Sequence, residues 1–235
     1  LSVNELIEAL HQNDEKTSTA CPSIAQWQKA FEGADEIYAI TITSVLSGSY
    51  NSAVQAASLY REDHPETKIH VIDSLSAGPE MELIIDKLKE SIDAGLNFDE
   101  ICAKINAYKE KTHLNFALES LDNLAKNGRI SPAVAKVAKM LKIRIIGRPD
   151  DGKLTPIGKA RGAKKTISYL IKDMEEHGFS NGRVIIAHIL NEEGADNLKQ
   201  AILAKHPEAA VEIREARGLC TYYAQKGGLM VGYEA

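Results

Sequence analysis

Two hydrophobic periodicities alternate along the chain. Glu36 to Ile42 alternates and then runs apolar with β-branched side chains, the pattern of a buried strand. A small hydroxyl-rich loop around Gly48 follows, after which Ala53, Val54, Ala57 and Leu59–Tyr60 recur at helical spacing. The order then repeats. Lys68 to Ile72 reads as a strand ending in Asp73-Ser74. A helix from Pro79 carries Met81, Ile84, Ile85, Leu88 and Ile92 on one stripe and stops at Gly95. Asn97-Phe98-Asp99-Glu100 is a capping box opening a helix to about Lys111. Upstream, Val3–Leu10 and Ser23–Phe31 read as helices, the first opened by the box Ser2-Val3-Asn4-Glu5, the second with Pro22 at its first position. Asn13 to Cys21 between them is polar. This strand–helix order predicts a parallel sheet with helices on both faces.

From His113 the texture changes. His113–Leu118 reads as a short strand, Ser120–Lys126 as a helix stopped by Asn127-Gly128, and Pro132 opens an Ala/Val/Lys helix through Leu141. Ile143–Gly147 and Lys153–Ile157 flank Asp150-Asp151-Gly152, a strong hairpin signal. Helices are expected over Arg161–Glu176 and Glu192–Lys205, and strands over Arg183–His188, Val211–Ile213 and Leu229–Tyr233. One hairpin plus strand–helix–strand units predicts a mixed or antiparallel sheet with helices on one side. The expected organisation is α/β in two domains, residues 1–118 and 119–235.

Composition narrows the class. The 235 residues are 44% hydrophobic and 26% charged, an ordinary globular balance. No apolar run approaches the roughly 20 residues of a membrane span, and no signal peptide is read. Three distant cysteines, Cys21, Cys102 and Cys220, form no CxxC or Cys/His metal spacing and suit free thiols in a reducing, cytoplasmic setting. A net charge of −5 argues against a nucleic-acid module.

The organising stretch is the loop from Thr43 to Ser49. A strand feeding a loop that ends at a helix N-terminus offers unpartnered N–H groups and about half a positive charge to an anion. Thr43, Ser44, Ser47 and Ser49 can donate to the same point, and Gly48 permits close approach. An N-cap followed by a turn explains the same residues without a ligand. The loop has no Gly-x-Ser-x-Gly elbow and no evident histidine partner for a serine hydrolase, and no Walker Lys-Ser/Thr or GxGxxG for a nucleotide.

Several spaced motifs resemble the DegV family. They are Thr17-Ser18-Thr19-Ala20-Cys21-Pro22, Ile42 to Ala53, Val71-Ile72-Asp73-Ser74, Leu121 to Ser131, and Gly227-Gly228-Leu229-Met230-Val231-Gly232-Tyr233. They run in family order and cover nearly the whole chain. The resemblance implies a two-domain DegV-like fold in a bacterial fatty-acid-binding protein with no catalytic residues and no cofactor or metal of its own. Several members carry the lipid for a fatty acid kinase, presenting a long-chain fatty acid to a separate ATP-binding kinase subunit. The product is an acyl phosphate, a phospholipid precursor. The same resemblance places the lipid between the domains and admits transient membrane contact. It puts Thr17 or Ser18, with Ser44, Ser47 and Ser49, around the head group, and sets Arg129 and Arg161 toward the partner or the transferring phosphate.

Two departures stand out. The strand and Asp-Ser-Thr motif with which the family opens do not precede Leu1, so the start reads as incomplete. Tyr223 stands where many members have a histidine before the final glycines. A phenol donates to a carboxylate as imidazole does but does not titrate near neutrality, which predicts weak pH dependence of binding between about pH 6 and 8. His188 reads as a satisfied strand-end histidine, and Asp73-Ser74 as a turn at the end of a parallel strand.

Overall fold

A computed structural model describes residues 2–12 and 16–235. Of the polar stretch beginning at Asn13, residues 13–15 lie outside the described residues. The first half contains α1 (Val3–Gln12), α2 (Ile24–Phe31), β1 (Glu36–Thr41), α3 (Ser49–Asp63), β2 (Lys68–Asp73), α4 (Pro79–Asp93) and α5 (Phe98–Lys109). The second half contains β3 (Thr112–Leu118), α6 (Asp122–Lys126), α7 (Pro132–Leu141), β4 (Arg144–Asp150), β5 (Lys153–Ala160) and α8 (Ala163–Glu176). It closes with β6 (Arg183–His188), α9 (Glu192–Lys205), β7 (Ala210–Glu215), α10 (Gly218–Ala224) and β8 (Leu229–Glu234).

Local chemistry sets the helix starts. The Ser2 N–H donates to Glu5 Oε2 at 2.7 Å while the Glu5 N–H donates to Ser2 Oγ at 3.2 Å, and Asn97 and Glu100 form the same reciprocal box. Ser23 and Gln26 form a third box, so Pro22 precedes the N-cap instead of opening the helix. At the hairpin tip Asp151 (φ 46°) and Gly152 (φ 76°) both take positive φ, the requirement of a type I′ turn. The seven residues of α10 were not foreseen: the helix is too short for a period to show and has no side-chain cap.

β1 and β2 pair in parallel from Glu36↔Lys68 to Thr41↔Asp73. The other strands form a mixed sheet in the order β5-β4-β3-β8-β6-β7, antiparallel except for β6–β7. This corrects the expected boundary at residue 118. β3 is an interior strand of the six-stranded sheet, with β4 on one side and β8 on the other, so the sheets divide before Thr112. Its nearly continuous burial is the mark of a strand covered on both faces.

Helices on only one side of that sheet is also corrected. One face carries Ala117, Ile146, Val184, Ile186 and Val231 against Leu170 and Met174 of α8 and Leu198 and Ile202 of α9. The opposite face presents Leu114, Phe116, Leu118 and Met230, which share a core with Val3 and Ile7 of α1, Leu124 of α6 and Ala138 of α7. On this face α4 lies against β3, β6 and β8. Because α4 also packs on α5, its Leu83 and Ile84 share a core with Ile101 and Ile105 of α5 and Ile72 of β2. Of its expected stripe, Ile85 and Ile92 face solvent. Arg214 bridges to Glu82 (3.0 Å) and Asp86 (2.7 Å), and Arg183 to Asp86 (3.1 Å), tying α4 to β7 and β6. Among the described residues no helix is long and apolar enough to cross a membrane.

Candidate functional site

The loop between β1 and α3 is held by the exit of β2. The Thr43 N–H donates to the Ser76 carbonyl at 2.9 Å, the Ser74 N–H to the Thr41 carbonyl at 3.2 Å, and the Ser44 N–H to Asp73 Oδ1 at 3.1 Å. Asp73 Oδ1 also accepts the Leu75 N–H at 3.1 Å, so Asp73 fixes two backbones. Thr43 Oγ1 accepts the Val45 N–H at 3.3 Å and sits against Gly152 at the hairpin tip. Beyond Leu46, the Ser47 and Ser49 hydroxyls lie 2.9 Å apart, and the Ser49 N–H donates to Ser47 Oγ at 3.2 Å. Gly48 is the N-cap of α3. Gly48 has no side chain to cap the helix, only the first N–H is taken by Ser47, and no acid occupies the first turn, so the positive end of a fifteen-residue helix is not neutralised by its own residues.

That end opens onto a cavity of about 590 Å³ between the β1–β2 layer and the six-stranded sheet. Leu114, Phe116 and Leu118, alternate residues on one face of β3, line one side, with Met230 of β8 beside them. Met81 from the start of α4 and Trp27 from α2 add further apolar wall. Among the described residues the polar lining is Thr19, Thr41, Ser47, Ser49, Tyr223 and Arg129, apart from the thiols of Cys21 and Cys220. Among the described residues no carboxylate lines the cavity. Burial, with Glu82 nearby, pushes the Cys220 thiol up to about 11, so it serves as a neutral wall group.

Residues 17–19 are strapped across this site by hydroxyls. The Tyr222 hydroxyl donates to the Thr17 carbonyl at 2.7 Å and accepts from Asn127 Nδ2 at 3.0 Å. The adjacent Tyr223 hydroxyl lies 2.8 Å from Thr19 Oγ1. Arg129 follows the Asn127-Gly128 turn, and its guanidinium donates back to the Asn127 carbonyl.

The cavity therefore brings together Ser47, Gly48, Ser49, Tyr223 and Arg129. It does not include Thr17, Ser18, Thr43 or Ser44. Thr17 bonds Tyr222, Ser18 is exposed, Thr43 supports the loop against the hairpin, and Ser44 is engaged through its N–H. Arg161 lies elsewhere. Its Nη2 donates to the Leu141 carbonyl at 2.8 Å beside Lys159, Lys165 and Tyr169 in a shallow groove of about 360 Å³. Thr19 and Thr41 were not singled out from sequence. Alternation along the segment after α1 was the available signal for Thr19, since it puts Thr17 and Thr19 on one side and Ser18 on the other.

Other titratable groups have structural partners. His188 is buried, with its Nδ1 accepting the Asn191 N–H at 3.4 Å. Glu80, between the lining residues Ala77 and Met81, accepts the Ser76 hydroxyl and Thr112 Oγ1 (3.0 Å), and burial pushes its carboxyl up to about 7. Among the described residues no histidine is hydrogen-bonded to Ser44, Ser47 or Ser49, and no group of three His, Cys, Asp or Glu could hold a metal.

The model of the DegV family, described as an uncharacterised protein family, matches residues 1–235. The chain belongs to the DegV family. A DegV domain-containing protein of Streptococcus pneumoniae is 44% identical over 235 residues, all of this chain and 84% of the relative. The crystal structure of the Streptococcus pneumoniae fatty acid kinase (Fak) B3 protein loaded with linoleic acid superimposes with a TM-score of 0.97 at 44% identity, covering 100% of this chain and 84% of that one. A DegV family protein from Eubacterium eligens loaded with heptadecanoic acid gives 0.96 at 41% identity, covering 100% and 86%. The expected α/β DegV-like fold is thus the one this DegV chain adopts.

Proposed function

We propose that this DegV protein binds a long-chain fatty acid between its two sheets and presents it to a separate ATP-binding kinase subunit for acyl phosphate formation. The observation that carries this reading is the cavity's polarity: apolar on most sides, with no carboxylate among the described lining residues, and with the Ser47 and Ser49 hydroxyls at the N-terminus of α3. The linoleic and heptadecanoic acids in the two similar structures support the same ligand class.

Ser47 and Ser49, with the α3 N–H groups, would hold the carboxylate by charge-assisted hydrogen bonds, and Thr19 with Tyr223 would close over it. A head group held by hydroxyls and dipoles, with no Arg clamp to break, can turn one carboxylate oxygen toward the γ-phosphorus of ATP; that oxygen forms the new O–P bond while the bond to the β–γ bridging oxygen breaks and ADP leaves. On this reading Arg129, at the cavity wall, would face the phosphate, and Arg161, on the outer surface, would meet the partner. In this reading the chain itself is not a catalyst, works in the cytoplasm with free thiols, and touches a membrane only to exchange its acid.

The test is mass spectrometry of the organic extract of the protein purified from a bacterial host and denatured. A stoichiometric fatty acid of sixteen to eighteen carbons is expected, and its loading should support acyl phosphate formation with the kinase subunit and ATP. A phosphorylated small molecule in its place overturns the reading.

A further inference from the structure

Phe116 on β3 and Gly147 on β4 are register partners, and Phe116 also faces Met230 on β8. The Phe116 ring lines the cavity, and Gly147 lies buried behind it, outside the lining. Gly147 is not among the residues with positive φ, so backbone conformation does not call for glycine here. Space does. A methyl group on Gly147 would overlap Phe116 Cζ and lie 2.6 Å from Cε2 and 2.8 Å from the Thr155 carbonyl oxygen. The β4–β5 register shifts between Ile146 and Gly147, a bulge that seats this glycine under the ring. The tip of Phe116 therefore rests on the sheet in the space a side chain at position 147 would take.

We propose that Gly147 determines acyl-chain specificity. By letting the Phe116 ring lie down over the sheet, it keeps open the room that a long chain needs. This rests on the fatty-acid reading above. A side chain at 147 tips the ring into the cavity, and each methylene then denied its place costs about fourfold in affinity.

The test compares dodecanoic with octadecanoic acid by displacement of a fluorescent fatty acid from the full chain. Gly147→Ala should hold dodecanoic acid near the wild-type affinity and lose at least about tenfold for octadecanoic acid, the cost of two methylenes. Adding Phe116→Leu should restore the long acid. A wild-type length profile for Gly147→Ala overturns the inference. So does an equal loss for both acids that Phe116→Leu does not repair, because that is damage from the Thr155 clash. Should Gly147→Ala fail to fold, Phe116→Trp brings a larger ring onto the same glycine and should discriminate against octadecanoic acid alone; an unchanged profile refutes the proposal. A wild-type chain that binds neither acid rejects the fatty-acid reading itself, a result distinct from all of these.

Discussion

The Thr19 and Tyr223 hydroxyls lie 2.8 Å apart on the cavity wall, joining the segment after α1 to α10. Two hydroxyls sharing one hydrogen bond keep one proton to offer, and an anion arriving between them would receive it. With Thr19 donating to Tyr223, that proton is the phenol's, and Tyr223→Phe removes it while keeping the ring. Fatty-acid affinity should fall about tenfold, the scale of a hydrogen bond to a charged group. Equilibrium displacement measures this, and unchanged affinity would take Tyr223 out of the head-group site.

The two serines nearest in sequence to the loop's centre separate cleanly. Ser47 puts its hydroxyl on the cavity, whereas Ser44 is held through its backbone N–H by Asp73. Ser47→Ala should weaken binding about tenfold, and Ser44→Ala should leave it unchanged. Equal effects would show that the loop, not a particular hydroxyl, is being perturbed.

Gly152 links the hairpin to the same loop. Its φ of 76° favours glycine, and a methyl group there would overlap Thr43 Oγ1 and lie 3.2 Å from Val45 Cγ2. Gly152→Ala should cost about 1–3 kcal/mol in chemical denaturation. It should also speed fatty-acid release, because Thr43 props the head-group loop from behind. Faster release without loss of stability would contradict this coupling.

Glu80 makes stability depend on pH. Its carboxyl rises to about 7 in the fold against an ordinary 4.5, so the folded chain keeps a proton that the unfolded chain releases across that interval. Stability from this group is present below about pH 4.5, declines as pH rises toward 7, and is gone above it, a change of up to about 3 kcal/mol. When protonated, Glu80 can donate to Thr112 Oγ1 and leave the Thr112 hydroxyl to donate to the Lys109 carbonyl at 3.1 Å. Glu80→Gln, neutral throughout, should melt above wild type at about pH 8 and converge with it near pH 5. A constant offset across that range would assign the effect to packing.

Arg161 lies outside the cavity, in the groove with Lys159 and Lys165. Arg161→Ala should leave fatty-acid affinity intact and reduce acyl phosphate formation by the kinase subunit. An unchanged rate with the kinase removes Arg161 from the partner surface.

The sequence by itself determined the local structure and the organising loop. Capping boxes at Ser2 and Asn97, the Asp151-Gly152 turn and the strand–loop–helix around Gly48 are written in neighbouring residues, because backbone N–H groups and φ preferences act over three or four positions. The motif series was legible for a similar reason, as fixed residue types at fixed spacing. Which sheet β3 joins was not, since an apolar run records burial but not its partners. The choice among hydroxyls was equally closed. Thr17 and Thr19 differ only in meeting Tyr222 or Tyr223, more than 200 residues along the chain. Gly147 carried no turn signal, because its need for a missing side chain comes from Phe116 on the neighbouring strand. Those decisions belong to tertiary structure, where steric exclusion and hydrogen bonding act between residues that chain order does not bring together.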